Sequence, residues 1–223
     1  MEKAEELMKP YYETELGKLY HGSCEDIIPE LEPVDLCLTD PPYGTDFDYY
    51  SKGRGRCLAK QPDYGKQNWN KTRPDKTVFD LIQSISTHQI IFGGNLFTDY
   101  LPPSTSWIVW DKDNTGNFGD CELAWTSHKK SIRKIKWLWN GFLKESPEKR
   151  YHPTQKPVGL FMCIINRYSS SRNLILDPFL GSGTTAIACE ALKRRWIGIE
   201  ISEHFCRIAK ERIEAERKQI KMF

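Results

Sequence analysis

The sequence predicts an α/β fold with a mainly parallel sheet, and two observations support this prediction. Short apolar runs, typical of buried strands, alternate along the chain with stretches of helical periodicity. A glycine-rich segment at residues 177–185 leads from one of these runs into a predicted helix. With 223 residues, the chain fits one domain over residues 1–223, or one domain with an inserted lobe.

The order of the predicted elements follows from apolar periodicity. Six apolar runs are predicted strands, at residues 34–38, 88–92, 106–110, 121–125, 174–176 and 196–199. Four amphipathic stretches are predicted helices, at residues 78–85, 158–168, 185–194 and 203 to about 218. The last helix follows Ser202, a residue type that caps helix N-termini well. Strands that alternate with helices in this way are typical of a parallel sheet.

Two segments interrupt the alternation. Residues 44–76 are rich in Gly, Lys, Arg, Asn and Tyr without a clear period, which predicts a long functional loop or a disordered one. Residues 126–150 are basic and aromatic. This second segment and residues 51–76 each carry eight basic and two acidic side chains, although the whole chain has a net charge of only +2. Such a distribution fits a local phosphate-binding surface, and it fits solvated Lys-rich loops equally well.

Composition predicts a soluble protein of the cytoplasm. No apolar run reaches the roughly 18 residues of a membrane-spanning helix, and residues 1–6 lack the basic-then-apolar order of a signal peptide. The seven cysteines are widely spaced, without a C-x-x-C pair. We therefore expect reduced thiols packed as small apolar side chains, with neither a metal site nor a disulfide framework.

A distinctive tetrapeptide follows the first predicted strand of the sheet and consists of Asp40, Pro41, Pro42 and Tyr43. Ligands of open parallel sheets bind beyond the carboxyl ends of strands, where Asp40 is expected. The prolines restrict the backbone and hold its carbonyls in place. A carboxylate and a carbonyl can accept both hydrogens of a nucleobase amine, while Tyr43 stacks on the base. The tetrapeptide therefore predicts a site that grips such an amine.

The glycine-rich segment predicts a cofactor site. Gly181 and Gly183 allow a sharp turn and a close approach of the backbone to a ligand, and Thr184 begins a helix whose N-terminal amides suit a carboxylate. Glu200 lies 23 residues after Asp177 at a predicted strand end, where an acid can accept hydrogen bonds from ribose hydroxyls. By themselves these residues fit NAD and S-adenosylmethionine about equally.

These motifs together resemble those of the amino-methyltransferases that act on N6 of adenine or N4 of cytosine in DNA. Residues 40–43 resemble the catalytic tetrapeptide of that family, and residues 177–185 and 196–200 resemble its cofactor loop and the acidic strand that follows. Residues 152–157 resemble the segment that commonly precedes this loop. The resemblance spans residues 18–215, and the catalytic motif comes before the cofactor loop, as in the β group of the family.

The resemblance implies the doubly wound, Rossmann-like fold of S-adenosylmethionine-dependent methyltransferases, with a small target-recognition insertion at residues 126–150. It implies S-adenosylmethionine as the cofactor, with Asp177, Gly181 and Gly183 around its methionine part and Glu200 on its ribose. Ser23 stands where the family often has an acid that recognises the cofactor's adenine. The full set of predicted cofactor residues is Ser23, Thr154, Lys156, Asp177, Phe179, Gly181, Gly183, Thr184 and Glu200.

The resemblance also implies double-stranded DNA as the partner, with the target base flipped out of the duplex. The two basic segments supply the predicted DNA contacts, which are Lys52, Arg54, Arg56, Arg133, Lys134 and Lys136. The recognition segment is short, which predicts a short target site or the help of a second subunit in a homodimer. Asp40 as the first catalytic residue favours adenine N6 over cytosine N4.

Four other interpretations remain open at this point. The first is methylation of cytosine N4, and the second is methylation of RNA or of a protein glutamine, which Asp40 and the basic segments disfavour. The third is a non-catalytic DNA-binding module on the same fold. The fourth is a nicotinamide oxidoreductase, which leaves the tetrapeptide without a role.

Overall fold

The computed structural model describes residues 7–44, 73–113, 119–140, 143–144, 148–151 and 154–220. Its centre is a nine-stranded sheet with the strand order β1-β2-β11-β10-β3-β4-β6-β5-β7. These strands are β1 (Tyr12–Glu13), β2 (Gly17–His21), β3 (Val34–Thr39), β4 (Ser86–Phe92), β5 (Trp107–Asp111), β6 (Cys121–Thr126), β7 (Arg133–Lys136), β10 (Leu174–Asp177) and β11 (Arg195–Glu200). A separate antiparallel pair comprises β8 (Trp139–Asn140) and β9 (Leu143–Lys144).

Five neighbouring strands of the sheet, from β2 to β4 in sheet order, run parallel. At one end of the sheet, β6 is antiparallel to both β4 and β5, and β7 is parallel to β5. At the other end, β1 is antiparallel to β2. The mainly parallel sheet predicted from the sequence is therefore confirmed, with antiparallel strands at both ends.

Helices cover both faces of the sheet. The helices are α1 (Cys24–Ile27), α2 (Lys76–Ile85), α3 (Val158–Tyr168), α4 (Thr184–Ala191) and α5 (Glu203–Ile220). The side chains of α3, α4 and α5 pack in one buried apolar cluster, and those of α1 and α2 pack in another. The protein thus has three layers, with the sheet between two layers of helices.

The two faces follow from the order of the strands. The chain passes from β10 through α4 to β11 on one side, and from β3 through α2 to β4 on the other side. Because crossovers between parallel strands are right-handed, connections that step in opposite directions place their helices on opposite faces. The sheet therefore has a switch point between β10 and β3, where doubly wound folds bind their ligands.

The small residues of α4 account for its position in the middle of one layer. All residues from Thr184 to Glu190 are buried, and a helix buried all round needs side chains that fit between two neighbours. The one acid in this stretch, Glu190, accepts hydrogen bonds from the Thr14 hydroxyl at 2.6 Å and from Trp196 Nε1 at 2.9 Å. A buried carboxylate with such partners avoids the cost of an unpaired charge.

The predicted strands and helices agree with the structure to within a few residues. The largest difference is the end of α4 at Ala191, which we predicted at residue 194. The helix cannot continue because Lys193 adopts φ 55°, in the left-handed region. Three strands of the nine-stranded sheet, β1, β2 and β7, were missed, together with the pair β8 and β9 and the single turn α1.

The cysteines of the described residues divide into two groups. Cys24, Cys37, Cys189 and Cys206 are buried, as expected for small apolar side chains, whereas Cys121 and Cys163 are exposed. Cys57 lies outside the described residues. No helix in the described part of the chain is long and apolar enough to span a membrane.

Candidate active site

Two acids meet at the switch point of the sheet. Asp40 directly follows β3, and Asp177 is the last residue of β10. The two strands are parallel neighbours, so their carboxyl ends lie side by side. A cavity of about 500 Å³ opens here and is lined by Asp40, Asp177 and Glu200. This volume is within the range of small-molecule and cofactor sites.

Asp177 braces the loop that follows it. One carboxylate oxygen, Oδ1, accepts hydrogen bonds from the Thr39 hydroxyl at 2.7 Å and the Phe179 amide at 3.1 Å. The other, Oδ2, accepts one from the Thr185 hydroxyl at 2.5 Å. Burial raises the pKa of Asp177 to about 6, although these hydrogen bonds oppose the shift. The side chain thus joins β3, β10 and α4 at the edge of the cavity.

Glu200 performs a similar task at the end of β11. Its Oε2 accepts a hydrogen bond from the Gly181 amide and its Oε1 accepts one from the Ser202 amide, both at 2.8 Å. Burial raises the pKa of Glu200, and the two amides oppose this shift. Each oxygen keeps a further lone pair, so the carboxylate can accept from hydroxyl groups in the cavity.

The two glycines of the loop have different surroundings. Gly181 has φ 54° and lines the cavity, where a Cβ atom would meet nothing closer than 4.0 Å. Gly183 has φ 90° and does not line the cavity; a Cβ atom there would lie 3.0 Å from the Cβ of Ala209 in α5. Glycine at position 183 therefore allows the loop to pack closely against α5. This role differs from the contact with the cofactor that we predicted for Gly183.

The predicted cofactor residues are otherwise brought together. Eight of the nine line the cavity: Ser23, Thr154, Lys156, Asp177, Phe179, Gly181, Thr184 and Glu200. Ser23 caps α1, with its Oγ accepting a hydrogen bond from the Glu25 amide at 3.2 Å. Glu25 itself lines the cavity, so an acid lies two residues after the position where we expected one to be missing.

Both carboxylate oxygens of Asp40 are occupied by donors from the chain itself. Oδ1 accepts a hydrogen bond from the Tyr43 hydroxyl at 2.6 Å, and Oδ2 accepts one from Lys156 Nζ at 2.6 Å. Burial raises the pKa of Asp40, while Lys156 opposes the shift. Burial also lowers the pKa of Lys156, but Asp40 and Glu122 outweigh it and hold that pKa well above its usual value.

The remaining residues of the tetrapeptide lie around this pair. Pro42 lines the cavity, whereas Pro41 and Tyr43 do not. The Tyr43 ring packs near Phe97, with ring centroids 6.2 Å apart, and against Gly93, where a Cβ atom would be 2.2 Å from the ring. A side chain at position 93 would therefore displace Tyr43.

The predicted DNA contacts fall into two groups. Lys52, Arg54 and Arg56 lie outside the described residues. The segment that contains them leaves the described chain at Gly44 and re-enters it at Arg73, and these two residues are in contact. Arg73 also lines the cavity, so both ends of the segment lie beside the candidate site.

The second group lies on β7, the edge strand of the sheet. Exposed Lys134 and Lys136 pair with Asp111 at 3.1 Å and with Asp113 at 2.9 Å. Arg133 is in a different environment, in a smaller cavity of about 280 Å³ that it lines with Lys130, Arg167 and Tyr168. Part of the predicted insertion at residues 126–150 thus extends the main sheet, because β7 pairs with β5.

Two clusters were missed by the sequence analysis. Glu122 of β6 lies 3.2 Å from Lys156 Nζ and 2.5 Å from Lys112 Nζ. Because Lys156 also pairs with Asp40, Glu122 is linked to Asp40 through this lysine. Buried Arg212 donates hydrogen bonds to Glu148 at 2.8 Å and to the Ser182 carbonyl at 2.5 Å. For the first cluster, the sequence does hold one signal: Glu122 is the single acid within the apolar run of residues 121–125. The neighbouring residues do not show which side chains this acid contacts in the fold.

Fold and site together define a class of protein. A doubly wound sheet whose strand-end acids and glycine loop line a cavity at the switch point is typical of enzymes that bind nucleotide-like cofactors. Comparisons with known proteins narrow this class. The N6/N4 methyltransferase family, described as DNA methylase, matches residues 109–211.

Curated relatives match over most of their length. "Putative methylase YubD" of Escherichia coli strain K12 is 38% identical over 227 residues, covering 91% of this chain and 92% of the relative. The type II methyltransferase M2.LlaDCHI of Lactococcus lactis subsp. cremoris is 26% identical over 255 residues, with 93% of each chain covered. The chain belongs to the N6/N4 DNA methylase family.

Solved structures share the fold. The M1.HpyAVI–SAM complex superposes with a TM-score of 0.58 at 24% identity, covering 89% of this chain and all of that one. The cytosine-N4-specific PvuII DNA methyltransferase gives a TM-score of 0.61 at 15% identity, with 92% and 88% covered. At these identities the likeness concerns the fold alone, and it confirms the predicted Rossmann-like methyltransferase architecture.

Proposed function

We propose that this DNA methyltransferase transfers a methyl group from S-adenosylmethionine to the N6 amine of a flipped-out adenine in double-stranded DNA. The observation that carries the proposal is the position of Asp40. Asp40 lines a cavity whose other walls include Asp177, Glu200 and the glycine loop. A base amine held by Asp40 would thus lie beside a bound nucleotide-like cofactor.

The residues of the cavity fit this cofactor. Glu200 offers lone pairs for ribose hydroxyls, and Ser23 and Glu25, at the start of α1, line the cavity with further polar groups. Thr154 and Lys156 lie on the wall next to the glycine loop. When bound, S-adenosylmethionine supplies an electrophilic methyl group on a positively charged sulfur.

The protein's own residues orient the amine. Asp40 and the Pro41 carbonyl would accept the two N–H groups, which directs the nitrogen lone pair away from them. The new N–C bond forms as the S–C bond breaks, and sulfur keeps the electron pair. The methylated amine is acidic enough to lose one proton to water, so no strong general base is needed. Tyr43, tied to Asp40 by its hydroxyl, would support the base near the carboxylate.

A second candidate function is methylation of cytosine N4. It is supported by the matched family, which is named for both the N6 and the N4 amine. The geometry around Asp40 serves either amine, since both bear two N–H groups on an aromatic ring. Asp as the first residue of the tetrapeptide supports adenine.

Nucleoside mass spectrometry tests the proposal. Unmethylated double-stranded DNA is incubated with the protein and S-adenosylmethionine, digested and analysed, with S-adenosylhomocysteine in place of the cofactor as the control. N6-methyladenine is the expected product. N4-methylcytosine would move the assignment to the second candidate, and the absence of any methylated base would contradict both.

A further inference from the structure

Four charged side chains of alternating sign run from the candidate catalytic acid into the sheet: Asp40, Lys156, Glu122 and Lys112. The three separations between successive carboxylate oxygens and ammonium nitrogens are 2.6, 3.2 and 2.5 Å. The exposed fractions of the side chains are 17% for Asp40, 6% for Lys156 and 29% for Glu122. Ion pairs shielded from water to this degree are screened little by salt, so each charge strongly affects its neighbours.

Lys156 holds one oxygen of the acid that the proposed reaction needs. Its ammonium donates to Oδ2 of Asp40, while the Tyr43 hydroxyl donates to Oδ1. A substrate amine must therefore share an oxygen with a donor of the chain or replace it. Lys156 has an alternative acid close by, because Glu122 Oε2 lies 3.2 Å from its ammonium nitrogen.

Glu122 is placed to receive this ammonium. Its Oε1 is paired with Lys112 at 2.5 Å, whereas its buried Oε2 has only the longer contact of 3.2 Å with Lys156 among the described residues. Burial raises the pKa of Glu122, but Lys156 and Lys112 outweigh it and hold that pKa below its usual value. Glu122 is thus a charged acceptor with unused capacity.

We propose that Glu122 is a positioning residue that draws Lys156 away from Asp40 when the target amine binds, so that Asp40 can accept the amine. This inference rests on the proposed function. Without Glu122, Asp40 would be the one acid paired with Lys156 among the described residues. The target amine would then have to displace Lys156 with no other carboxylate nearby to accept the ammonium. Glu122 would also offset the positive charge of Lys156 as charge develops on the methylated nitrogen.

The variant Glu122→Gln tests this role because it keeps the shape of the side chain and removes its charge. We expect kcat to fall at least about tenfold, with the affinity for S-adenosylhomocysteine within about twofold of wild type. Glu211→Gln, which removes an exposed acid of α5, is the matched control and should leave kcat unchanged. An unchanged kcat in Glu122→Gln, or a loss confined to cofactor affinity, would overturn the inference.

A second variant separates positioning from simple stabilisation. Adding Lys156→Met to Glu122→Gln removes a balanced pair of charges and leaves Asp40 without its ammonium donor. The double variant should therefore be several-fold more active than Glu122→Gln alone. If the double variant melts cooperatively and binds S-adenosylhomocysteine as tightly as Glu122→Gln does, yet shows no gain in activity, Lys156 does not compete with the amine for Asp40 and the inference fails.

A measurement that needs no turnover completes the test. The carboxyl ¹³C resonance of Asp40, assigned with Asp40→Asn, is followed against pH in wild type and in Glu122→Gln. Since Glu122 raises the pKa of Asp40, its removal should lower the midpoint, and equal midpoints would overturn the charge coupling. Wild-type protein that methylates no base would instead overturn the proposed function, whatever the midpoints.

Discussion

At the scale of single residues, the candidate site depends on carboxylates whose oxygens are already engaged within the protein. Asp177 and Glu200 hold backbone and hydroxyl groups of the loop that lines the cavity. Asp40 holds Tyr43 and Lys156 instead. The first two acids therefore shape the cavity, whereas Asp40 is paired with a tyrosine hydroxyl and a buried ammonium.

Replacing Asp40 should separate chemistry from cofactor binding. In Asp40→Asn, the amide can still meet the Tyr43 hydroxyl, but it presents no charge to the amine. We expect turnover to fall by roughly a hundredfold or more, the scale seen when a catalytic electrostatic group is lost. Affinity for S-adenosylhomocysteine, measured by calorimetry, should change less than about threefold. A variant with near wild-type turnover would remove Asp40 from the mechanism.

Replacing Glu200 should have the opposite effect. Glu200→Gln turns one charged acceptor into an amide whose NH₂ group faces a backbone N–H, either that of Gly181 or that of Ser202. Hydrogen bonds to charged groups contribute about 1.5–3 kcal/mol, so cofactor affinity should fall at least about tenfold. Calorimetry with S-adenosylhomocysteine checks this, with exposed Glu203→Gln as the control. Equal affinities in the two variants would contradict a ribose contact.

At the scale of elements, α5 is tied to the loop before α3 by a buried ion pair. Arg212 and Glu148 have side-chain exposures of 7% and 15%. Glu148 also accepts hydrogen bonds from the side chain of Gln155 at 2.7 Å and from the Val158 amide at 3.0 Å. Since Thr154 and Lys156 lie in this same loop, the pair fixes one wall of the candidate site to α5.

Breaking this pair should weaken both the fold and the site. Arg212→Met leaves Glu148 as a partly buried charge without its guanidinium, which typically costs about 3–5 kcal/mol of stability. Urea denaturation at neutral pH measures the loss. The exposed Arg207→Met serves as the control, and it should change stability by less than about 0.5 kcal/mol. A loss below about 1 kcal/mol in Arg212→Met would show that water replaces the guanidinium.

The edge strand β7 shows where element prediction failed. Its residues are basic at three of four positions, and three of the four are exposed. Polar edge strands of this kind protect a sheet from pairing with other chains, but they lack the alternation that marks a strand in sequence. β2 pairs with β11 and was missed for another reason: its five residues include exposed Lys18 and His21, and they do not form an apolar run.

At the scale of the whole molecule, acid should unfold the protein partly through a buried histidine. His128 stacks on His88, with ring centroids 4.0 Å apart, and joins the end of β6 to β4. Burial lowers the pKa of His128 to about 4, with further effects of His88 and Lys130. A base with a depressed folded-state pKa stabilises the fold above its unfolded pKa, near 6.5, and this stability is lost as pH falls toward 4.

This pH dependence is tested by comparing the free energy of unfolding of wild type with that of His128→Asn. Between pH 7.5 and pH 5, wild type should lose about 1–2 kcal/mol more of its free energy of unfolding than the variant does. Asp177 shifts in the opposite direction, because its raised pKa of about 6 favours the folded state as pH falls through this range. Its contribution is common to both proteins and cancels in the difference. Parallel pH profiles of the two proteins would show that His128 is hydrated.

The sequence alone determined the local parts of this protein. Apolar periodicity placed the six central strands and four helices, and turn chemistry placed the tetrapeptide and the glycine loop at strand ends. These features depend on neighbouring residues, so one sequence is enough to find them. The resemblance carried by these motifs led to the family that the comparisons confirm.

Tertiary structure alone decided which of these parts touch. Lys156 meets Asp40 across 116 residues of chain, Glu122 reaches the same ammonium from β6, and Gly183 packs on Ala209 of α5. Such contacts depend on strand order and on how the helices cover the sheet. Both are set by packing summed over the whole core, and no local pattern in the sequence encodes them.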